Sequence, residues 1–344
     1  MKAGIVGIIG EGKMGTNLIH YLLESGNELR WVISPRADTG ILRKNFEKKI
    51  RRLRDHEIIS EPRHSSLLTT RISSDASILE DCSLVIEAVT ENLDIKRQVL
   101  AAADSMLIDT AILVSNSSSI NPSALCPSPA REKNFAGLHF FYPVNLVNIV
   151  EIIKAPHTSA ATVDELVRFL SSVNRKYLIL EERESFILNR IFLDVQNEAY
   201  HLVEQGQSTP LEIDNIVKAS LFPSGIFEFF DHVGLDTMLQ SIINYTSDYP
   251  HATYYHPLVG KLRQLISEGW MGKKSGRGFF VYSGAEPESS SAVMDSEKSS
   301  EILHHLEFTY KNAARRFITR SGLTIDELNE ALKEYFGTEK GPFD

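Results

Sequence analysis

A histidine closes one apolar run of this chain and a glutamate lies inside the next: Gly137-Leu-His139-Phe-Phe-Tyr-Pro143 leads on to Leu146-Val-Asn-Ile-Val-Glu151-Ile-Ile153. The second run reads as a short buried strand, where a lone carboxylate is costly and needs a partner. If the chain folds back at Pro143 and Asn145, that partner is His139. The carboxylate then holds the imidazole in one tautomer, as an oriented general base. The alternative is a core histidine and an edge-strand glutamate that never meet.

A second chemical signal opens the chain. Ile5-Val-Gly-Ile-Ile9 reads as a buried parallel strand, Gly10-Glu-Gly12-Lys-Met14-Gly15 follows at once, and Asn17 to Glu24 has helical spacing before Gly26. Strand, glycine loop and helix in this order form a dinucleotide fingerprint: the glycines let the backbone approach a pyrophosphate, and the helix N-terminus offers free N–H groups to it. The next strand, Leu29–Ser34, lacks the terminal acidic residue that holds a ribose hydroxyl. It reads Ser34-Pro-Arg36, a pair that suits a 2′-phosphate and leaves NADP open beside NAD. The alternative is that Asp38 or a backbone group serves NAD.

These groups need a scaffold, and the following segments supply it. Residues 41–55 read as a basic helix containing Lys48, Lys49 and Arg52, either a solvated face or a seat for a polyanion. Strands at 83–88 and 111–115, with a helix to Asp104 between them, continue the alternation expected of a parallel sheet covered on both faces. The second of these strands runs into Ser115-Asn116-Ser-Ser118-Ser. Ligands lie beyond the C-terminal ends of such strands, so this polar cluster is well placed; Ser118 as a plain turn or helix-capping residue is the alternative. After a strand at 176–181 the pattern turns helical: 186–205, with Asn189 in the first turn, then 211–219, 225–247 and 257–268, a glycine-rich turn at 272–282, and a last segment over 301–335. The expected organisation is a Rossmann-like doubly wound parallel α/β domain over 1–183, an all-α domain over 184–283, a serine- and glutamate-rich linker over 284–300, and a partial repeat of the helical domain over 301–344.

Composition narrows the function classes. The 344 residues are 42% hydrophobic and 24% charged with a net charge of −9, ordinary for a globular protein and unlike a general nucleic-acid binder. Two cysteines provide no metal site or disulfide framework and fit a reducing cytoplasmic setting. The short, glycine-broken N-terminal apolar run is not a signal peptide, and no stretch reads as a membrane span.

Taken together, the motifs resemble the 3-hydroxyacyl-CoA dehydrogenases, in the 3-hydroxybutyryl-CoA dehydrogenase-like group. The matching text is the loop at 10–15, Glu91-Asn-Leu with Lys96, the cluster at 115–119, Gly137-Leu-His139-Phe-Phe, Glu151, Asn189-Arg190, Val233-Gly-Leu-Asp236 and the turn at 272–279, in order over residues 5–282. The resemblance implies a nicotinamide-dependent oxidoreductase of fatty acid metabolism that interconverts a 3-hydroxyacyl-CoA and a 3-oxoacyl-CoA, with the active site between its two domains. His139 would move the proton of the 3-hydroxyl, Glu151 would orient it, Ser118 would bind that hydroxyl, and Asn189 would position the thioester end. Gly10, Gly12, Met14, Gly15, Ser34, Arg36, Glu91, Lys96 and Asn116 would surround the cofactor. Lys48, Lys49 and Arg52 would reach the CoA moiety. The resemblance also implies a homodimer through the helical domain. Rival readings are the same dyad acting on a hydroxy acid or sugar acid without CoA, and an idle dinucleotide-binding structural protein.

The chain departs from the family at four places. Tyr142 stands where asparagine is usual and would narrow or re-aim the acyl pocket. The acidic end of the second strand is missing. Glu184-Ser185-Phe186 replaces Pro-Gly-Phe before the Asn-Arg pair. Residues past 284 extend beyond the usual end and carry the repeat: at a shift of 115, Asn197 and Ala199 meet Asn312 and Ala314, and Thr209, Glu212 and Lys218 meet Thr324, Glu327 and Lys333. One inserted residue later, Gly225-Ile-Phe227-Glu228 meets Gly341-Pro-Phe343-Asp344. Asn189 falls opposite His304, so the repeat reads as a structural copy that docks on the first rather than a second active site; the alternative is a helix pair loosely tethered by the linker.

Overall fold

Two compact units make up the computed structural model, one ending at Ser185 and the other beginning at Phe186. It describes residues 4–247, 251–284 and 296–344.

The first unit holds one eight-stranded sheet, β1 Ile5–Ile9, β2 Glu28–Val32, β3 Arg71–Ser73, β4 Leu84–Glu87, β5 Ile112–Ser115, β6 Phe135–Phe140, β7 Ile149–Lys154 and β8 Lys176–Glu181, in the order β3-β2-β1-β4-β5-β6-β7-β8. Its helices are α1 Lys13–Tyr21, α2 Thr39–Asp55, α3 Glu61–Leu68, α4 Leu93–Asp104, α5 Pro122–Leu125 and α6 Ala160–Ser172. The central strands are continuous apolar runs because both sheet faces are covered. One face packs Ile8, Trp31 and Ile86 against Leu18, Phe46 and Leu166, and the other packs Val85 and Leu113 against Leu100 and Leu125. The sheet departs from the all-parallel expectation at one ladder: β6 and β7 run antiparallel. The connection between them, residues 141–148, is too short for a parallel crossover. From β7 the chain returns through α6 to β8, and that pair is parallel.

The second unit is helical: α7 Ile187–Glu204, α8 Pro210–Ser220, α9 Ile226–Val233, α10 Leu235–Thr246, α11 His256–Ser267, α12 Ser296–Ser321 and α13 Ile325–Phe336. The segment expected as one helix over 225–247 is two, broken at Gly234 with φ 101°, and the segment over 301–335 is also two, α12 and α13. Of the expected linker, residues 285–295 lie outside the described residues and Ser296–Ser300 already belong to α12. The middle of the unit is α7, buried around most of its circumference. Its neighbours include α12, which also meets α8, and α13.

The two copies of the repeat are built alike. Thr209 and Glu212 form a capping box that opens α8, and Thr324 and Glu327 form the same box at the start of α13. A second correspondence is absent from the sequence reading. The Asp214 carboxylate accepts the N–H groups of Phe227 and Glu228, both at 2.9 Å. In the second copy Asn329 Oδ1 accepts the N–H of Phe343 at 3.1 Å.

Candidate functional site

His139 and Glu151 are direct cross-strand partners in the β6–β7 ladder. Residues opposite one another in an antiparallel pair present their side chains on the same face, so the register itself brings the two together. Nδ1 of His139 lies 2.8 Å from Oε2 of Glu151, and the side chains are 4% and 0% exposed. An ionised carboxylate only accepts, so Nδ1 carries the hydrogen and Nε2 keeps the lone pair of a neutral imidazole. The ring also packs on Phe141, with centroids 4.3 Å apart. Of the two arrangements left open by the sequence, a joined dyad and two residues that never meet, the structure has the first. Asn116 braces it from the end of β5, its Oδ1 accepting the N–H of Phe140 at 2.8 Å.

Beneath the neighbouring strand ends lies a buried polar network. Glu87, at the end of β4, is fully buried and accepts from Lys96 Nζ at 2.8 Å, from Ser115 Oγ at 2.6 Å and from the N–H of Val89 at 2.7 Å. Lys96 is expected beside the cofactor; the structure makes it the 1%-exposed counter-ion of this network, donating to both Glu87 oxygens and to the carbonyl of Val89 and lying 3.5 Å from Glu91. Its three donors are spent within this network. Glu91 Oε1 accepts the N–H groups of Ser118 and Ser119 at 3.0 and 2.9 Å and the Ser117 hydroxyl at 2.6 Å. Burial alone would raise its pKa, but Lys96 and the hydrogen bonds from Ser117 and Ser119 outweigh that and hold it below the usual value. The loop that carries Ser118 is thereby fixed to α4 and its approach. Glu87 escaped the sequence reading because a glutamate ending an apolar run carries no periodic signal of its own.

The glycine loop fits a dinucleotide. Gly10 has φ 119°, a region that side chains avoid, and a Cβ on Gly15 would stand 2.2 Å from the Gly10 carbonyl oxygen. A Cβ on Gly12 would meet nothing within 4 Å, so open space lies at the N-cap of α1. Met14 sits half-buried against the apolar core. At the end of β2 the chain meets the glycine loop. The carboxylate of Glu11 accepts the N–H of Ser34 at 2.9 Å. Arg36 is exposed and only its backbone N–H bonds Ser34 Oγ, while Asp38 caps α2 through the N–H of Ile41. Glu11 was legible only as a variable position of the fingerprint; its reach to β2 needs the folded loop.

Lys48, Lys49 and Arg52 are exposed on α2, away from its buried residues Phe46, Ile50 and Leu53. Tyr142 is 57% exposed, at the bend where the chain leaves β6. In the helical unit, Asn189 lies in the first turn of α7 with both ends of its amide held: Nδ2 donates to the Tyr245 hydroxyl and Oδ1 accepts from the Tyr335 hydroxyl, each at 2.9 Å. The departure at Glu184-Ser185-Phe186 places Phe186 at φ 57° and Ser185 on Asn121 at 2.9 Å. No described helix is long and apolar enough to cross a membrane.

Comparison with known proteins agrees with this geometry. The family model of the 3-hydroxyacyl-CoA dehydrogenase NAD-binding domain matches residues 5–183, and that of the C-terminal domain matches residues 186–282. The chain is 30% identical over 285 residues to the human mitochondrial hydroxyacyl-coenzyme A dehydrogenase, covering 80% of this chain and 90% of the relative. It is 31% identical to 3-hydroxybutyryl-CoA dehydrogenase of Bradyrhizobium diazoefficiens, covering 82% and 96%. Among solved structures, (S)-3-hydroxybutyryl-CoA dehydrogenase from Ralstonia eutropha matches with TM-score 0.72 and 29% identity over 82% of this chain and all of that one. The 3-hydroxybutyryl-CoA dehydrogenase of Escherichia coli shares the fold over all of this chain and 91% of its own, with TM-score 0.83 and 17% identity.

Proposed function

With the chain a member of the 3-hydroxyacyl-CoA dehydrogenase family, and so an NAD-dependent oxidoreductase, we propose that His139 Nε2 takes the proton of a substrate 3-hydroxyl during oxidation and returns it during reduction. The observation that carries this is the 2.8 Å His139–Glu151 pair, which leaves Nε2 as the only basic ring nitrogen. NAD, when bound, supplies the hydride acceptor. Glu151 holds the ring orientation and offsets the charge that the imidazole gains. Ser118, on the loop anchored by Glu91, hydrogen-bonds the reacting oxygen, and Asn189 positions the thioester end. Gly10, Gly12, Gly15 and the α1 N-terminus hold the pyrophosphate. Glu11 takes over, from the loop, the ribose-binding work that an acidic end of β2 would do, and so favours NAD over NADP.

The substrate in this reading is an acyl-CoA of fatty acid metabolism, and the exposed Lys48, Lys49 and Arg52 meet its phosphates. The cytoplasm fits two free cysteines. A homodimer, if formed, uses faces of the helical unit that α12 and α13 leave uncovered.

The deciding assay is reduction of acetoacetyl-CoA with NADH. His139→Gln should lower kcat by about 10²–10⁴ with NADH affinity near normal, and Glu151→Gln should lower it less. Wild-type turnover in the His139 variant would end this reading. Glu11→Gln should narrow the preference for NADH over NADPH, measured as the ratio of their dissociation constants; an unchanged ratio would remove Glu11 from the cofactor site.

A further inference from the structure

The curated relatives above align with 80–82% of this chain, and the family match ends at residue 282. Tyr335 lies beyond that limit, on α13, yet its hydroxyl donates to Asn189 Oδ1 at 2.9 Å. The first copy of the repeat has no equivalent group, since the matching position is Ser220.

The bond has a chemical consequence. An amide side chain can present either its oxygen or its nitrogen to a neighbour, and the two ends have similar shape. In this protein Oδ1 is occupied by a phenol that donates, and one Nδ2 hydrogen goes to the Tyr245 hydroxyl, also at 2.9 Å. Both hydroxyls can accept as well as donate, so what the two contacts fix is the place and plane of the amide between them. The pair of tyrosines thereby clamps the amide from both sides, with one Nδ2 hydrogen beyond the bond to Tyr245 left for a thioester carbonyl. Tyr335 is itself held by ring contacts, its centroid 4.6 Å from Phe336 and 6.5 Å from Phe192. Tyr245 is 8% exposed and packs near Phe186 at 5.9 Å.

We propose that Tyr335, supplied by the appended copy of the repeat, is a positioning residue for catalysis: it acts through Asn189 by holding the amide in the place where it meets the substrate. This rests on the role assigned to Asn189 above. The appended copy thereby takes part in substrate recognition without carrying a catalytic group of its own.

The test uses the full chain, acetoacetyl-CoA and NADH. Tyr335→Phe keeps the ring packing and removes only the hydroxyl. Its kcat/KM for acetoacetyl-CoA should fall about five- to tenfold, the loss of one hydrogen bond, with the melting temperature and the NADH dissociation constant unchanged. Asn189→Ala should lower kcat/KM at least as far, and adding Tyr335→Phe to it should cause no further loss. A general structural effect of the phenylalanine would instead appear in both backgrounds. If Asn189→Ala is impaired but Tyr335→Phe is silent, or if the two losses multiply, the proposal is overturned and the role of Asn189 stands. If Asn189→Ala is silent, the role of Asn189 fails and the proposal falls with it.

Discussion

The two copies of the helical repeat share their scaffold and differ in their chemistry. Each opens its second helix with a threonine–glutamate capping box. Each holds a glycine against a polar side chain: a Cβ on Gly225 would stand 2.3 Å from Asp214 Cγ, and one on Gly341 would stand 2.2 Å from Asn329 Oδ1. The first copy has Asn189 where the second has exposed His304, and the second has Tyr335 where the first has Ser220. The retained features close helices and satisfy buried backbone groups, and the altered ones do not. A copied segment thus remains folded through its caps and close approaches while its remaining positions are free to change. In this chain the second copy covers the first. Arg316 and His305 of α12 pair with Asp194 and Glu198 of α7, and Phe336 stacks on Phe222 with centroids 4.2 Å apart. Asp194 is pushed upward in pKa by burial, an effect that Arg316 partly offsets.

The largest effect should come from removing the second copy. Deletion of residues 296–344 takes away Ile302, Leu306, Tyr310 and Phe317, all buried in α12. At about 1.5–3 kcal/mol for each large apolar side chain, the loss reaches the size of a typical domain's whole stability, about 5–15 kcal/mol. The truncated chain should aggregate or melt far below the full chain. A soluble truncated protein with the original melting temperature would show that the second copy is no part of the core.

A smaller effect sharpens the parallel between the copies. Gly225→Ala and Gly341→Ala each force a methyl group into an occupied space and should each destabilise by about 1–3 kcal/mol, measured by urea unfolding. Loss in the first with none in the second would mean that the second clamp is not under the same constraint.

The smallest effect concerns pH. Burial pushes the Asp214 carboxyl up to about 7, against the opposing pull of the N–H groups of Phe227 and Glu228, while Glu228 raises it further. Its unfolded value is about 4. Between these limits the folded chain holds a proton that the unfolded chain has released, so this group's contribution to stability falls as pH rises from about 4 through about 7. Asn329, its counterpart, does not titrate. Melting temperatures across that window should decline less for Asp214→Asn than for the wild type. Parallel declines would exclude Asp214 as the source.

Legibility followed the range of the interactions. The buried strands, the glycine loop with its helix and the basic helix were readable because periodicity and turn chemistry act over a few neighbouring residues. The repeat was readable because it is a comparison of the chain with itself. The breaks at Gly234 and Gly322 were missed because flanking apolar positions continue across them, and β3, α3 and α6 were missed because they carry no motif. For the dyad, the chain by itself determined the residue types and the short connection between the two runs. Only the antiparallel register of β6 and β7 decided that His139 and Glu151 face each other, since a shift of one residue would put them on opposite sides of the sheet. In the same way the residue types at 87, 96, 11, 34, 189 and 335 stood in plain sight. Which of them pair depends on strand order and helix packing, which join positions far apart in the chain and therefore leave no local pattern to read.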